Sequence, residues 1–238
     1  MNLIVLNKNN FIKDNIVRIE GRQFEHVINV HKNEVGNILR VGLIDGKVGT
    51  GRILSVESDY LTMSIDLTED PPNKLPLKLI LAMPRPKVFK RLIEDCTTLG
   101  INEIHLIKTW KVEKSYWSTP WLNDDKILGQ MLLGLEQGKD TILPKVYVHQ
   151  RFKPFVEDKV PEIIEGTIPI IAHPRLDNKI KLGDFYNQAV TLAIGPEGGF
   201  TDYELEKFKS VGFEAVSLSD RILRVETAIK VIVGRLYY

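Results

Sequence analysis

The feature that most constrains the fold is an apolar run that stops at a glycine-rich turn. Residues 189–194, Ala-Val-Thr-Leu-Ala-Ile, are typical of a buried β-strand, and Gly195-Pro196-Glu197-Gly198-Gly199 follows directly. Because glycine has no Cβ, such a turn lets the backbone approach a ligand closely. Thr201 and Glu204 have capping-box spacing, so we expect a helix to begin at Asp202. Alone, the turn is consistent with a ligand site or with a plain strand-to-helix connection, and its glycine spacing matches neither the dinucleotide fingerprint nor the P-loop.

Strand-like and helix-like segments alternate beyond residue 73, which predicts an α/β sheet domain. One predicted helix places Cys96 on its apolar face, where a small core residue is expected. A second is expected to bury Ile127, Leu128, Met131, Leu132 and Leu135. The predicted helices are Val88–Leu99 and Asp124–Gln137, and the predicted strands are Leu77–Met83, Glu103–Lys108, Lys145–His149, Thr167–Ala172 and residues 214–218.

The first seventy residues contain several short β-type runs and one short helical segment, Gln23–Val30. Asp45-Gly46 separates two of the runs and indicates a hairpin. This pattern predicts a small β-barrel with a helix. The proline-bearing break Glu69–Asn73 divides the chain into domains at 1–72 and 73–238. The predicted strands are Leu3–Leu6, Ile16–Ile19, Ile38–Ile44, Val48–Val56 and Tyr60–Leu67.

Composition narrows the class of protein. A single cysteine among 238 residues excludes an internal disulfide and argues against a cysteine metal cluster. Neither a leader nor a membrane-spanning apolar run is evident, so we expect the cytoplasm. Net charge is only +1, but residues 74–114 hold nine Lys or Arg and four Asp or Glu. This basic window, with Trp110, Tyr116 and Trp117 interleaved, is either an RNA-binding surface or a solvated face.

A second loop, Ser219-Asp220-Arg221-Ile222-Leu223-Arg224-Val225-Glu226-Thr227-Ala228, precedes the last apolar helix. Together with the sequence from Ile194 to Phe200 it resembles the SPOUT methyltransferases, and specifically the ribosomal RNA small subunit methyltransferase E family. The stretch His26–Lys32 is also similar to the PUA-like RNA-binding domain of that family. The resemblance implies a PUA-like barrel over residues 1–72 and a SPOUT domain over 73–238. It further implies a deep C-terminal trefoil knot.

The resemblance also implies a cofactor and a set of site residues. The cofactor is S-adenosylmethionine, with no metal required, and Arg224 is the expected catalytic residue, placed to stabilise an anionic uracil. Two alternatives stay open: His173 as an ordinary half-buried histidine, and Arg224 as a partner of Glu226. The expected RNA-binding residues are Lys32, Arg85, Lys87, Arg91 and Lys111. The expected cofactor-binding residues are Ala172, His173, Ile194, Gly195, Pro196, Glu197, Gly198, Gly199, Leu218, Ser219, Ile222, Leu223 and Thr227.

The implied function is methylation of uridine N3 in 16S rRNA of the small ribosomal subunit, by a homodimer. Two alternatives share these motifs: a non-catalytic RNA-binding or ribosome-assembly protein, and a methyltransferase for a different RNA site. Four positions depart from the family pattern, which leaves the substrate more open than the cofactor. They are Asp95, Thr98, Asp140 and Ser219.

Overall fold

The structure is a computed structural model that describes residues 2–30, 32–174, 186–218 and 220–238. The chain divides into two compact units. The first comprises residues 1–73 and 131–143, and the second comprises residues 74–130 and 144–238. Residues 131–143 therefore belong to the first unit, although they follow the expected boundary by almost sixty positions.

The first unit contains a six-stranded sheet in the order β1-β4-β5-β6-β3-β2, antiparallel except for the parallel pair β1–β4. The expected hairpin at Asp45-Gly46 is confirmed, with the Gly46 amide donating to the Leu43 carbonyl at 2.8 Å. Strand β2 was not predicted, because three partly exposed residues are too few to show an alternating pattern. The predicted helix Gln23–Val30 begins two residues earlier and continues as a π-helix over His26–Val30. The elements are β1 Ile4–Leu6, β2 Phe11–Lys13, β3 Ile16–Glu20, α1 Gly21–Glu25, β4 Ile38–Leu43, β5 Val48–Val56 and β6 Tyr60–Glu69.

The second unit is a six-stranded, entirely parallel sheet in the order β12-β10-β11-β7-β8-β9. The α/β class is confirmed. No helix in the described ranges is long and apolar enough to cross a membrane. The strands are β7 Leu75–Ala82, β8 Ile101–Ile107, β9 Lys145–His149, β10 Ile168–Ala172, β11 Val190–Ile194 and β12 Glu214–Val216. The helices are α2 Pro86–Thr98, α4 Phe152–Pro154, α5 Val160–Ile163, α6 Asp202–Ser210, α7 Val225–Tyr237 and the first part of α3 Asp124–Gly138, whose residues from 131 onward belong to the first unit.

Residues 131–143 complete the core of the first unit. The buried Leu135 packs with Leu3, Val5 and Val48 of the sheet. Next to it, the buried Glu136 carboxylate accepts hydrogen bonds from the Arg22 guanidinium and, at 2.9 Å, from the Gln23 amide. These two bonds anchor the carboxylate: removing Arg22 would leave its charge without compensation, and removing Gln23 would leave it one donor short.

Two predictions about helix burial have different outcomes. Cys96 lies in the core as expected, and its burial raises the pKa of the thiol to about 12. The expectation that Leu128 is buried is wrong, since its side chain is 37% exposed. The buried side of α3 follows Ile127, Met131 and Leu135 at intervals of four residues. Leu128 lies about 100° around the helix from Ile127 and so points away from that side.

A pair of stacked histidines connects β8 and β9. His105 is buried, and its ring nitrogens contact Glu103 at 2.6 Å and His149 at 3.0 Å. Burial lowers the pKa of His149 to about 4, and the neighbouring His105 and Lys159 act in the same direction. Burial also lowers the pKa of His105, against the opposing effect of Glu103.

The depressed pKa of His149 predicts a loss of stability at mildly acidic pH. An unfolded histidine titrates near pH 6.5, so between about pH 6.5 and pH 4 the unfolded chain holds a proton at this position that the folded chain does not. The free energy of unfolding therefore falls as pH decreases through this window. We expect His149→Gln to weaken this dependence, measured by urea unfolding at several pH values between about 7.5 and 5. An unchanged slope in the variant would contradict the assignment.

Candidate functional site

A cleft of about 230 Å³ opens at the carboxyl edge of the parallel sheet. Its walls come from the ends of β10 and β11, from the glycine turn after β11, and from residues 217–218 and 221–225, which lie between β12 and the start of α7. The two loops singled out in the sequence therefore line one cleft. The expected site residues that line it are Ala172, His173, Ile194, Gly195, Pro196, Glu197, Gly199, Leu218, Ile222, Leu223 and Arg224.

The glycine turn needs glycine at two positions for different reasons. A Cβ at Gly195 would lie 3.0 Å from the Phe200 ring and 3.1 Å from its amide nitrogen, so a side chain there would require the buried Phe200 to shift by a few tenths of an ångström. Gly199 has a φ of +69°, a backbone conformation in which a residue with a side chain would be strained. The turn closes with the Gly199 amide donating to the Pro196 carbonyl at 2.8 Å. It leads into α6, which begins at Asp202 with the expected Thr201–Glu204 capping box.

Glu204 does more than cap α6. It is buried, and one carboxylate oxygen accepts from the Trp110 amide at 2.7 Å. The other accepts from the Thr201 amide at 2.8 Å and the Thr201 hydroxyl at 3.0 Å. The Lys111 ammonium also donates to the Gly198 carbonyl at 2.9 Å. The loop after β8 is thus tied to the glycine turn, a link that sequence reasoning missed because its partners are 94 positions apart.

The loop before α7 is bonded to the end of that helix and carries apolar side chains. Arg235, in the last turn of α7, donates to the Leu218 carbonyl at 2.8 Å. Ile222 is 62% exposed and Leu223 is half-buried. Apolar side chains exposed in a cleft wall suit a flat, partly apolar ligand. Ser219 lies outside the described residues.

Arg224 lies at the mouth of the cleft, at the N-terminal boundary of α7. Its side chain is exposed and caps no helical amide. Among the described residues, no carboxylate is within ion-pair distance of its guanidinium, so the alternative pairing with Glu226 is not present there. This cation is therefore available to a bound anion.

His173 contributes the one buried polar atom of the cleft that lacks a partner in the described part of the chain. Its backbone amide donates to the Val216 carbonyl at 2.9 Å, which fixes it between β10 and β12. Its Nδ1 is buried and makes no hydrogen bond. Burial lowers the pKa of the imidazole, and the positive charge of Lys111 lowers it further. A neutral imidazole with a free nitrogen inside a cleft is suited to a ligand hydrogen bond.

Some expected residues lie outside the cleft. Gly198 and Thr227 do not line it. Lys32 belongs to the first unit, where it is exposed with a φ of +52°. Arg85 approaches Glu197 of the glycine turn at 3.8 Å. Lys87 and Arg91 are exposed on α2, and Lys111 is engaged with the glycine turn as described above.

Comparison with known proteins identifies the family. The family model described as an RNA methyltransferase domain matches residues 71–237. The ribosomal RNA small subunit methyltransferase E of Treponema pallidum is 31% identical over 221 residues, which cover 90% of this chain and 81% of that protein. This chain belongs to the ribosomal RNA small subunit methyltransferase E family.

Two solved structures show that the methyltransferase E fold extends over the whole chain. A Legionella pneumophila protein in complex with the cofactor SAM has a TM-score of 0.75 at 23% identity, over 98% of this chain and 95% of that one. The ribosomal RNA small subunit methyltransferase E of Neisseria gonorrhoeae, bound to S-adenosyl methionine, has a TM-score of 0.71 at 20% identity, over 98% and 96%. At these identities the likeness concerns the fold.

The bonds of Glu204 predict a specific loss of stability. Glu204→Ala removes the acceptor of two part-buried backbone amides, those of Trp110 and Thr201, so we expect the free energy of unfolding to fall by about 1–3 kcal/mol in urea titrations. Glu206→Ala is the matched control on the same helix, because Glu206 is exposed and, among the described residues, pairs only with Lys209. The control should change stability by less than about 0.5 kcal/mol. Equal effects of the two substitutions would contradict the role given to Glu204.

Proposed function

We propose that this protein transfers a methyl group from S-adenosylmethionine to ribosomal RNA. The observation that carries the proposal is the convergence of the glycine turn and the 217–225 loop on one cleft, in a chain of the methyltransferase E family. The names of its relatives and the bound cofactor in two structures of the same fold support this reading. We assign the cofactor to the cleft.

The residues of the cleft fit such a cofactor. Pro196, Ile222 and Leu223 offer apolar surface for an adenine ring, and the backbone of the glycine turn is accessible because it carries few side chains. The unpartnered Nδ1 of His173 offers a hydrogen bond to a polar group of the ligand. When bound, S-adenosylmethionine supplies a methyl carbon on a sulfonium sulfur, which keeps the bonding electrons when the methyl group leaves.

Arg224 is the proposed catalytic residue. Uracil N3 is a poor nucleophile while it holds its proton, and becomes a good one as the anion. A guanidinium at the mouth of the cleft stabilises that anion electrostatically, and more strongly where water is excluded. The exposure of Arg224, its position at the mouth of the cleft and the absence of a carboxylate partner in the described ranges support this role. Because N3 lies on the Watson–Crick edge, the target uridine must be unpaired or flipped out of its helix.

Four finer features are proposed on family membership. They are a 16S rRNA target in the small subunit, a PUA-like RNA-binding first unit that uses Lys32, a trefoil knot around β10, β11 and β12, and a homodimer. For a protein with these features we also propose the cytoplasm. Sedimentation equilibrium tests the dimer. The first unit cannot be removed by a single truncation, because it consists of residues 1–73 and 131–143. Its role is therefore tested with Lys32→Ala, by measuring the affinity of the variant for RNA.

The central test combines cofactor binding with methyl transfer. We expect calorimetry to detect S-adenosylmethionine binding, and labelled methyl groups to appear in small-subunit rRNA from cells that lack this gene. Mass mapping of the labelled nucleotide then identifies the base atom. A protein that binds no S-adenosylmethionine would refute the function, and a methyl group on another atom would refute only the assignment to uridine N3.

Arg224→Ala tests the catalytic assignment. We expect turnover to fall by about 100- to 1,000-fold, the usual cost of removing one charge-stabilising donor, while cofactor affinity changes by less than about threefold. Arg224→Lys keeps the charge but not the planar guanidinium, so its turnover should lie between those of the parent and Arg224→Ala. Lys145→Ala, which removes a cation at the opposite edge of the sheet, is the control. Normal turnover in Arg224→Ala would exclude the residue from the chemistry.

A further inference from the structure

A second pocket of about 850 Å³ lies at the same edge of the parallel sheet, outside the cofactor cleft. It is enclosed by the loop after β8, by the segment from the end of β9 into α4, and by the start of α6. Its apolar walls are Trp110, Val112, Phe152 and Tyr203. Trp110 is 86% exposed and Tyr203 is 55% exposed, and exposed aromatic side chains that line the same pocket are typical of a binding surface. We call this site the aromatic pocket.

Positive charge borders the aromatic pocket. Lys108, Lys114 and Lys153 line it. Within the described ranges neither Lys108 nor Lys114 forms an ion pair, and Lys153 only approaches Glu157 at 4.0 Å. The single carboxylate that lines the pocket, Glu204, is buried and already accepts three hydrogen bonds. The rim therefore offers uncompensated positive charge to an anionic ligand.

The pocket also contains an unused polar group. Thr109 lines it and is 4% exposed, and its hydroxyl has no hydrogen-bond partner among the residues that the structure describes. A buried hydroxyl without a partner costs free energy that a ligand can recover by bonding to it. Together these groups match a nucleotide. The aromatic faces can stack on the base, the cations at the rim can contact the phosphate, and the polar group can hydrogen-bond to the edge of the base.

The aromatic pocket and the cofactor cleft share one structural element. The glycine turn lines the cleft, and its continuation, Thr201 to Glu204, lines the aromatic pocket. The loop that carries Trp110 is bonded to this element through Glu204 and through Lys111 to Gly198. Tyr203 is only four positions after Gly199, a span of at most about 15 Å. Two or three nucleotides of extended RNA cover such a distance.

We propose that the aromatic pocket binds a nucleobase of the single-stranded RNA that flanks the target nucleotide. The base stacks on Trp110 and Tyr203, its edge meets the Thr109 hydroxyl, and the adjoining phosphates face Lys108 and Lys114. The pocket thereby sets substrate affinity without taking part in methyl transfer. This proposal rests on the proposed function for the identity of the RNA, but the binding itself can be measured without cofactor.

The test is binding of a fluorescein-labelled ten-nucleotide oligouridylate, followed by anisotropy. Since one base stacked on an aromatic ring accounts for about a 5- to 100-fold change in affinity, we expect a loss of that size in Trp110→Ala and in Tyr203→Ala. Lys114→Ala should weaken binding and reduce the salt dependence by about 0.7 in the slope of log affinity against log salt. Tyr186→Ala and Lys145→Ala are the matched controls, since both remove exposed side chains at the amino edge of the sheet.

Methyl transfer supplies the second measurement. In Trp110→Ala we expect a higher KM for RNA, an almost unchanged kcat, and cofactor affinity within about twofold of the parent. Because Trp110 is highly exposed, we expect this substitution to change the free energy of unfolding little, and urea unfolding of the variant checks this. If methyl transfer fails in the parent but oligouridylate binding depends on Trp110, the pocket assignment stands and the proposed function falls.

Two results would overturn the proposal. One is an active methyltransferase whose RNA affinity and KM are the same in the parent, Trp110→Ala and Tyr203→Ala. The other is a dimer that Trp110→Ala converts to a monomer in sedimentation equilibrium without loss of oligouridylate affinity per protomer. In that case a second copy of the chain, and not RNA, covers the aromatic pocket.

Discussion

Parallel pairing of the strands of the second sheet, from β12 to β9, is the constraint on which both sites depend. In register, Ala172 at the end of β10 lies opposite Ile194 at the end of β11 and Val216 at the end of β12. Neighbouring strands are about 4.8 Å apart, so the loops that follow these three residues start side by side. The five residues of β11 are all buried, which fixes the register because a shift would leave core side chains without partners. A ligand site at this edge follows from the order of the strands, as is general for open α/β sheets.

The loops at this edge are anchored mainly by side chains that bond to backbone groups. Glu204 accepts from the Trp110 amide, Lys111 donates to the Gly198 carbonyl, and Arg235 donates to the Leu218 carbonyl. Each of these bonds fixes the main chain of a loop, so the apolar side chains of that loop are not needed to anchor it. This explains how Trp110 and Ile222 remain exposed on loops that are nonetheless held in place. The same anchoring couples the cofactor cleft to the aromatic pocket through the glycine turn.

The parts of the fold that local sequence determines could be predicted, and those that depend on distant residues could not. The β11 run, the turn at Gly195 and the capping box of α6 carry their signals within a few residues. Whether Leu128 is buried depends on which side of α3 meets the core. In the sequence, an apolar residue next to the buried side of a helix cannot be distinguished from one on that side. The second role of Glu204 could not be recognised, because an acidic residue at N3 of a helix already has a complete local explanation. Convergence of the two loops was expected from the family resemblance, whereas the aromatic pocket depends on three loops whose proximity no local signal encodes.

The departures from the family pattern acquire a physical reason in the structure. Asp95 pairs with Lys230 of α7 at 2.7 Å, and the Thr98 hydroxyl donates to the Glu94 carbonyl at 2.9 Å. Asp140 is buried and accepts from the amides of Thr141 and Ile142 at 2.7 and 2.9 Å, a role that requires an acceptor side chain. Each of these three changes is therefore compensated within the scaffold, and none of the three residues lines the cofactor cleft. The fourth departure, Ser219, lies outside the described residues. Since the other three lie away from the described walls of the cleft, we expect the protein to retain the chemistry proposed for that cleft and to differ from its relatives in how it binds RNA.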